Sequence, residues 1–171
     1  MATKRSMQPA LRRIRLLLLD VDGVMTDGGL YYSGRGEIFK KFNVKDGYGI
    51  IKVQRSGIQV GIITGRVSAI IVRRAKELGI KELHQNLHDK LSAYNRIKIQ
   101  YGLTDAQIAY VGDDEPDVPV LKRVGFSAAP ADAMPAALKV VDYVCKCSGG
   151  NGAVREVIDL IMGAQSTTLQ R

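Results

Sequence analysis

Asp20 and Asp22 stand two residues apart, directly after the run Leu16-Leu17-Leu18-Leu19. A carboxylate oxygen can attack phosphorus and carry the phosphoryl group as an aspartyl-phosphate. A second carboxylate beside it can give a proton to the departing alcohol and then take one from water. Thr64 and Lys90 offer a hydroxyl and an ammonium for the equatorial phosphoryl oxygens. Asp113 and Asp114, with Asp117 one turn later, add the oxygen donors that Mg²⁺ takes together with water and a phosphate. Such an ion offsets repulsion between Asp20 and the phosphate and stabilises the charge that develops in transfer.

These residues need elements that bring them to one place. The four leucines read as a buried parallel strand, and carboxylates at its tip are costly unless they do chemistry or hold a cation. Residues 29–42 read as a hairpin turning at Ser33-Gly34-Arg35-Gly36. Asp46 is expected to cap a helix running to about Arg55. Ile58–Ile63 is a second buried strand ending at Thr64-Gly65-Arg66, followed by a helix over Ser68–Leu78. A short strand Ile80–Leu83 precedes a helix over Asp89–Tyr101, which Lys90 begins. Gln107–Val111 is a strand ending at Gly112-Asp113-Asp114, and Pro116 opens a helix over Asp117–Val124. Phe126–Ala128 and Tyr143–Cys145 are short strands, and a last helix spans Gly152–Met162, with a loose tail from about 163. The alternation predicts an α/β domain, 1–171, built on a doubly wound parallel, Rossmann-like sheet. In such sheets the carboxyl ends of the strands form the ligand crevice.

The 171 residues suffice for one compact core, and 46% are apolar. No apolar run approaches the roughly 18 residues of a membrane span, and the four leucines are too few for a signal-peptide core. A cytoplasmic chain without membrane partners is expected. The net charge of +8, from 25 basic and 17 acidic residues, favours an anionic partner. Scarce aromatics, not interleaved with the basic residues, argue against a nucleic-acid groove. Cys145 and Cys147 are too close in sequence for an unstrained disulfide and read as reduced thiols in or near a strand. His84 and His88 read as loop or surface histidines.

The segments Asp20-Val21-Asp22-Gly23-Val24-Met25-Thr26, Thr64, Lys90 and Gly112-Asp113-Asp114-Glu115-Pro116-Asp117 resemble, in order, the four motifs of the haloacid dehalogenase superfamily. The resemblance implies Asp20 as nucleophile and Asp22 as acid/base. It implies Mg²⁺ held by Asp20, the backbone carbonyl of Asp22, and Asp113. Asp114 and Asp117 would orient Lys90 or the metal's waters. Members of the superfamily often carry a cap domain, but neither gap between the first three motifs has room for one. The hairpin with Tyr31 and Tyr32 is then either a contact with a neighbouring subunit or an exposed flap.

Further segments are similar to the capless 3-deoxy-D-manno-octulosonate 8-phosphate phosphatases of lipopolysaccharide synthesis. They are residues 22–28, Phe42-Asn43-Val44-Lys45-Asp46-Gly47-Tyr48-Gly49-Ile50, Thr64-Gly65-Arg66, Leu78-Gly79-Ile80, Gly112-Asp113-Asp114 with Asp117 and Pro119, and residues 149–156. That family implies a Mg²⁺-dependent homotetramer whose substrate is a small sugar acid bearing a phosphate at its other end. It implies Asp22, Asn43, Val44, Lys45, Asp46, Gly47, Arg66, Arg74, Lys90 and Arg155 as substrate contacts, the last in its own or a neighbouring site. Arg74 reads equally as an exposed helix-face charge. The chain departs from the family at Thr64, where serine is common, at Val67, where aspartate is common, and at Glu115-Pro116.

Three other readings stay open at this level. A phosphatase of a nine-carbon, sialic-type sugar-acid phosphate would differ in relative turnover. A phospho-acceptor module would hold a long-lived phospho-aspartate. A nucleic-acid binder would show salt-dependent oligonucleotide binding without hydrolysis.

Overall fold

A computed structural model describes the backbone of residues 4–166 and the side chains from 7 onward. The chain runs through α1 (Lys4–Arg13), β1 (Leu16–Leu19), β2 (Tyr31–Ser33), β3 (Gly36–Phe39), α2 (Val44–Arg55), β4 (Gln59–Ile63), α3 (Ala69–Glu77) and β5 (Glu82–His84). It continues through α4 (Lys90–Gln100), β6 (Ile108–Val111), α5 (Val118–Leu121), β7 (Phe126–Ala129), α6 (Pro135–Leu138), β8 (Tyr143–Val144) and α7 (Ala153–Ser166). Six strands form one parallel sheet in the order β5-β4-β1-β6-β7-β8, while β2 and β3 pair as a separate antiparallel ribbon. This is the doubly wound α/β architecture that the alternation predicts.

Successive side chains of a strand face opposite sides of the sheet. Leu17 and Leu19 therefore join one core layer with α1, α2, α3 and α7, and Leu16 and Leu18 join the other with α4, α5 and α6. All four leucines are fully buried. Strand order reverses on either side of β1, so the crevice opens between the ends of β1 and β6. The chain between β1 and β4 holds only the ribbon and α2, and the chain between β4 and α4 holds only α3 and β5. No cap domain is built from either.

Several local expectations are corrected. Asn43, not Asp46, caps α2: its backbone is extended and its Oδ1 accepts the Lys45 N–H at 2.8 Å. Asp46 lies in the first turn and is drawn elsewhere. The helix expected over Asp117–Val124 is shorter. A 3₁₀ turn, Glu115–Asp117, leads into α5, which ends at Leu121. The last helix does not stop at Met162. Ile161 and Ala164 are buried, and Gln165 donates to the Ile14 carbonyl at 2.9 Å, which carries α7 through to Ser166. The tail beyond 166 lies outside the described residues. α1 and α6 were not anticipated. α1 forms despite Pro9, burying Met7 and Leu11 while Arg12 reaches the Ala164 carbonyl. Cys145 and Cys147 are free thiols. No described helix is long and apolar enough to cross a membrane.

Candidate active site

Asp20 directly follows β1, with its N–H bonded to the Val111 carbonyl at 3.0 Å. The loop after it is tight: the N–H groups of Val24, Met25 and Thr26 all converge on the Val21 carbonyl. Asp113 leaves β6 beside it. Carboxylate oxygens of Asp20, Asp113 and Asp117 lie within 4.8 Å of one another. Lys90, buried at the start of α4, bridges two of these acids, 3.0 Å from Asp20 Oδ2 and 2.6 Å from Asp117 Oδ1.

Asp117 is already committed. Its Oδ1 accepts from Lys90 and from the Tyr110 hydroxyl, each at 2.6 Å. Its Oδ2 accepts the N–H groups of Asp113 at 2.9 Å and Asp114 at 3.2 Å. A carboxylate with four donors around it is an anchor, and it fixes both Lys90 and the Asp113 loop. Asp114 does not touch Lys90. Its side chain is exposed and caps the 3₁₀ turn through the Glu115 N–H at 2.7 Å.

The remaining pair, Asp20 and Asp113, has Lys90 as its one close cation, 3.0 Å from Asp20. Burial, then the Asp117 charge, pushes Asp20 up to about 7, against the opposing pull of Lys90. Burial, then the charges of Asp20 and Asp117, pushes Asp113 up to about 8. Two hard oxygen donors whose ionised forms are held apart only by protons suit a divalent, oxygen-seeking cation. Lys90 stays charged: burial pulls its pKa down, but Asp20 and Asp117 more than restore it.

Thr64, at the tip of β4, is held by its own backbone. Its N–H donates to the His84 carbonyl at 2.9 Å, and its carbonyl accepts from Leu87 at 3.3 Å. Thr64, Gly65, Arg66 and Lys90 face Asp20, Asp22 and Asp113 across a cleft of about 350 Å³. His88 stands on the same cleft, whereas His84 lies in β5 and pairs with Glu82.

Asp22 is gripped from the ribbon. Lys40, whose side chain is wholly buried, lies 2.5 Å from Asp22 Oδ1 and 3.0 Å from Glu37 Oε1. Arg66 lies 3.5 Å from Asp22 Oδ2 and donates to the Tyr32 hydroxyl. Ser68 donates to Glu37. Lys40, Glu37, Ser68 and Tyr110 escaped the sequence reading, and Tyr32 entered it only as part of a subunit contact or flap. Only Tyr110 carried a signal, since a tyrosine inside an apolar strand must find a partner for its hydroxyl.

The other expected substrate contacts lie apart from this cleft. Asn43 caps α2 and donates to the Gly150 carbonyl at 3.4 Å. Val44 is exposed. Asp46 is buried and accepts the Arg155 N–H at 2.8 Å. Gly47 lies against the Arg74 guanidinium, which also sits over the Phe42 ring and pairs with Glu77. Lys45 and Arg155 border a second cavity of about 590 Å³, and Arg155 pairs with Asp159. α2 packs on α7, and Asp46 and Asn43 are engaged by the start of α7 and the turn before it.

Residues 69–158 match the sequence profile of the haloacid dehalogenase-like hydrolases, a span that includes Lys90, Asp113 and Asp117. The chain is 51% identical over 152 residues to the 3-deoxy-D-manno-octulosonate 8-phosphate phosphatase of Yersinia pestis, covering 89% of this chain and 81% of that protein. This chain belongs to that phosphatase family. Its fold agrees with the family's solved structures. The Yersinia pestis phosphatase superposes with a TM-score of 0.92 at 48% identity, covering 94% of this chain and 86% of that one. The phosphatase of Moraxella catarrhalis, solved with magnesium ion, phosphate ion and a KDO molecule, gives 0.92 at 40% identity over 96% of this chain and 94% of that one.

Proposed function

We propose that this chain is a Mg²⁺-dependent phosphomonoesterase that hydrolyses 3-deoxy-D-manno-octulosonate 8-phosphate in lipopolysaccharide biosynthesis. The observation that carries the reading is the pairing of Asp20 with Asp113 beside Lys90, in a chain half identical to a named phosphatase of that substrate. Mg²⁺ would sit against Asp20, Asp113 and the Asp22 carbonyl, where it would neutralise the phosphate and let Asp20 approach it.

Asp20 attacks phosphorus, and the bond from phosphorus to the sugar oxygen breaks. Asp22 delivers its proton to that oxygen, so the sugar leaves as an alcohol. Asp22 then takes a proton from water, whose oxygen attacks the aspartyl-phosphate and frees Asp20 and inorganic phosphate. Lys90, held by Asp117, and the Thr64 hydroxyl bind the phosphoryl oxygens through transfer. Arg66, at the mouth of the cleft, binds the anionic sugar acid. The chain acts as one domain in the cytoplasm and assembles as a homotetramer. Arg155 serves the substrate of its own or of a neighbouring subunit.

Phosphate release from 3-deoxy-D-manno-octulosonate 8-phosphate, with Mg²⁺ or with chelator, tests the reading. Release that needs both the metal and Asp20, judged with Asp20→Asn, is expected. Metal-dependent release from generic phosphate esters but not from this sugar acid would discard the substrate and keep the chemistry.

A further inference from the structure

We propose that Lys40 is a positioning residue for Asp22, and that the β2–β3 ribbon is the part of the active site that delivers it. The inference deepens the phosphatase reading and rests on it.

An unpaired ammonium with no exposed side-chain surface is costly, so Lys40 must be placed where carboxylates meet it. It meets two. One is Glu37, on its own ribbon, and the other is Asp22, on the nucleophile loop. Glu37 is fixed in turn by the Ser68 hydroxyl at the start of α3, and Tyr32 by Arg66. Two clasps thus tie the ribbon to the β4–α3 segment, and Lys40 is the ribbon's reach into the site.

The contact is selective between the two oxygens of Asp22. Lys40 donates to Oδ1 at 2.5 Å. Oδ2 has no hydrogen-bond partner among the described residues, with only the Arg66 charge at 3.5 Å. Lys40, holding Oδ1 while the buried Oδ2 faces Arg66, therefore prevents the carboxyl that exchanges a proton with the sugar oxygen and with water from turning over. A carboxyl free to rotate would lose the near-attack geometry on which proton transfer depends.

The readout is leaving-group dependence. An alkoxide needs the Asp22 proton as it departs, whereas p-nitrophenolate leaves without one. Lys40→Met, close in size and uncharged, is expected to lower kcat on an alkyl phosphate by about 10²-fold and on p-nitrophenyl phosphate by less than about 5-fold. In the Asp22→Asn background the same substitution should add little, because Lys40 acts through Asp22. Equal losses on both esters, or an additive loss in the double variant, overturn the proposal. Should Lys40→Met not fold, Glu37→Gln and Ser68→Ala loosen Lys40 without removing it. Each should shift the alkyl-to-aryl ratio a few-fold in the same direction, and an unchanged ratio in both overturns the proposal. A wild-type protein that hydrolyses neither ester with Mg²⁺ would instead sink the phosphatase reading itself.

Discussion

The carboxylate of Asp113 rests against the Cα of Gly23, so closely that a Cβ on residue 23 would stand 2.1 Å from Oδ2. Gly23 also has a positive φ of 83°, where a side chain is strained. Gly23→Ala should therefore displace Asp113 and cost the enzyme its metal before its fold. Isothermal titration with Mg²⁺ is expected to show binding weakened by roughly 10-fold or more, the scale on which disturbing a metal site's surroundings acts. Unchanged affinity would mean that the loop yields without moving Asp113.

Metal removal has a pH signature. In the metal-free protein Asp20 is pushed up to about 7 and Asp113 to about 8, while both ionise near 4 in an unfolded chain. Between about pH 4 and 8 the folded form thus binds more protons than the unfolded one, and these two groups make stability fall as pH rises. Thermal unfolding in chelator should show that fall, and Mg²⁺ should raise Tm more at about pH 8 than at about pH 6. Asp113→Asn is expected to flatten the slope.

Lys90 joins two buried acids, so its loss costs stability as well as rate. Lys90→Met leaves Asp117 buried without its cation, a change that typically costs about 3–5 kcal/mol. Denaturant unfolding should report that loss, together with a drop in kcat of roughly 10²-fold or more. Tyr110→Phe removes only one donor to Asp117, and about 1–3 kcal/mol is expected.

Arg66 is 40% exposed at the cleft while Arg155 is tied to Asp159 away from it. Arg66→Ala should raise KM for the sugar-acid phosphate by roughly 10-fold with a smaller change in kcat, as lost ground-state binding does. If Arg155 serves a neighbour, a mixture of Arg155→Ala and Asp20→Asn subunits, reassembled together, should regain activity that neither possesses alone. No recovery would place Arg155 outside the reaction.

β1 announced itself because four consecutive leucines have one stable home, a strand covered on both faces, with two acids left at its tip. Thr64, Lys90 and Asp113 followed from the same rule, as residues at or just beyond strand ends in an alternating chain. Lys40 could not be found that way. Its role depends on how far the ribbon folds back over the β1 loop, a long-range matter that hairpin periodicity does not encode. Asp46 was misplaced for a similar reason. A local capping preference yielded to the Arg155 N–H, a partner far along the chain. The end of α7 was drawn short because its last turns are held by α1, whose polar sequence gave little sign of a docking face.

The backbone of Gly149 and Gly150 is wedged against the 23–26 loop: a Cβ at 149 would stand 1.9 Å from the Gly23 carbonyl oxygen, and the Gly150 N–H donates to the Val24 carbonyl at 3.0 Å. The loop that follows Asp20 and Asp22 is thus braced by a turn more than a hundred residues further along the chain. Hydrolysis should therefore wait on this distant turn, and a cut before Gly149 should remove the brace together with the core face of α7.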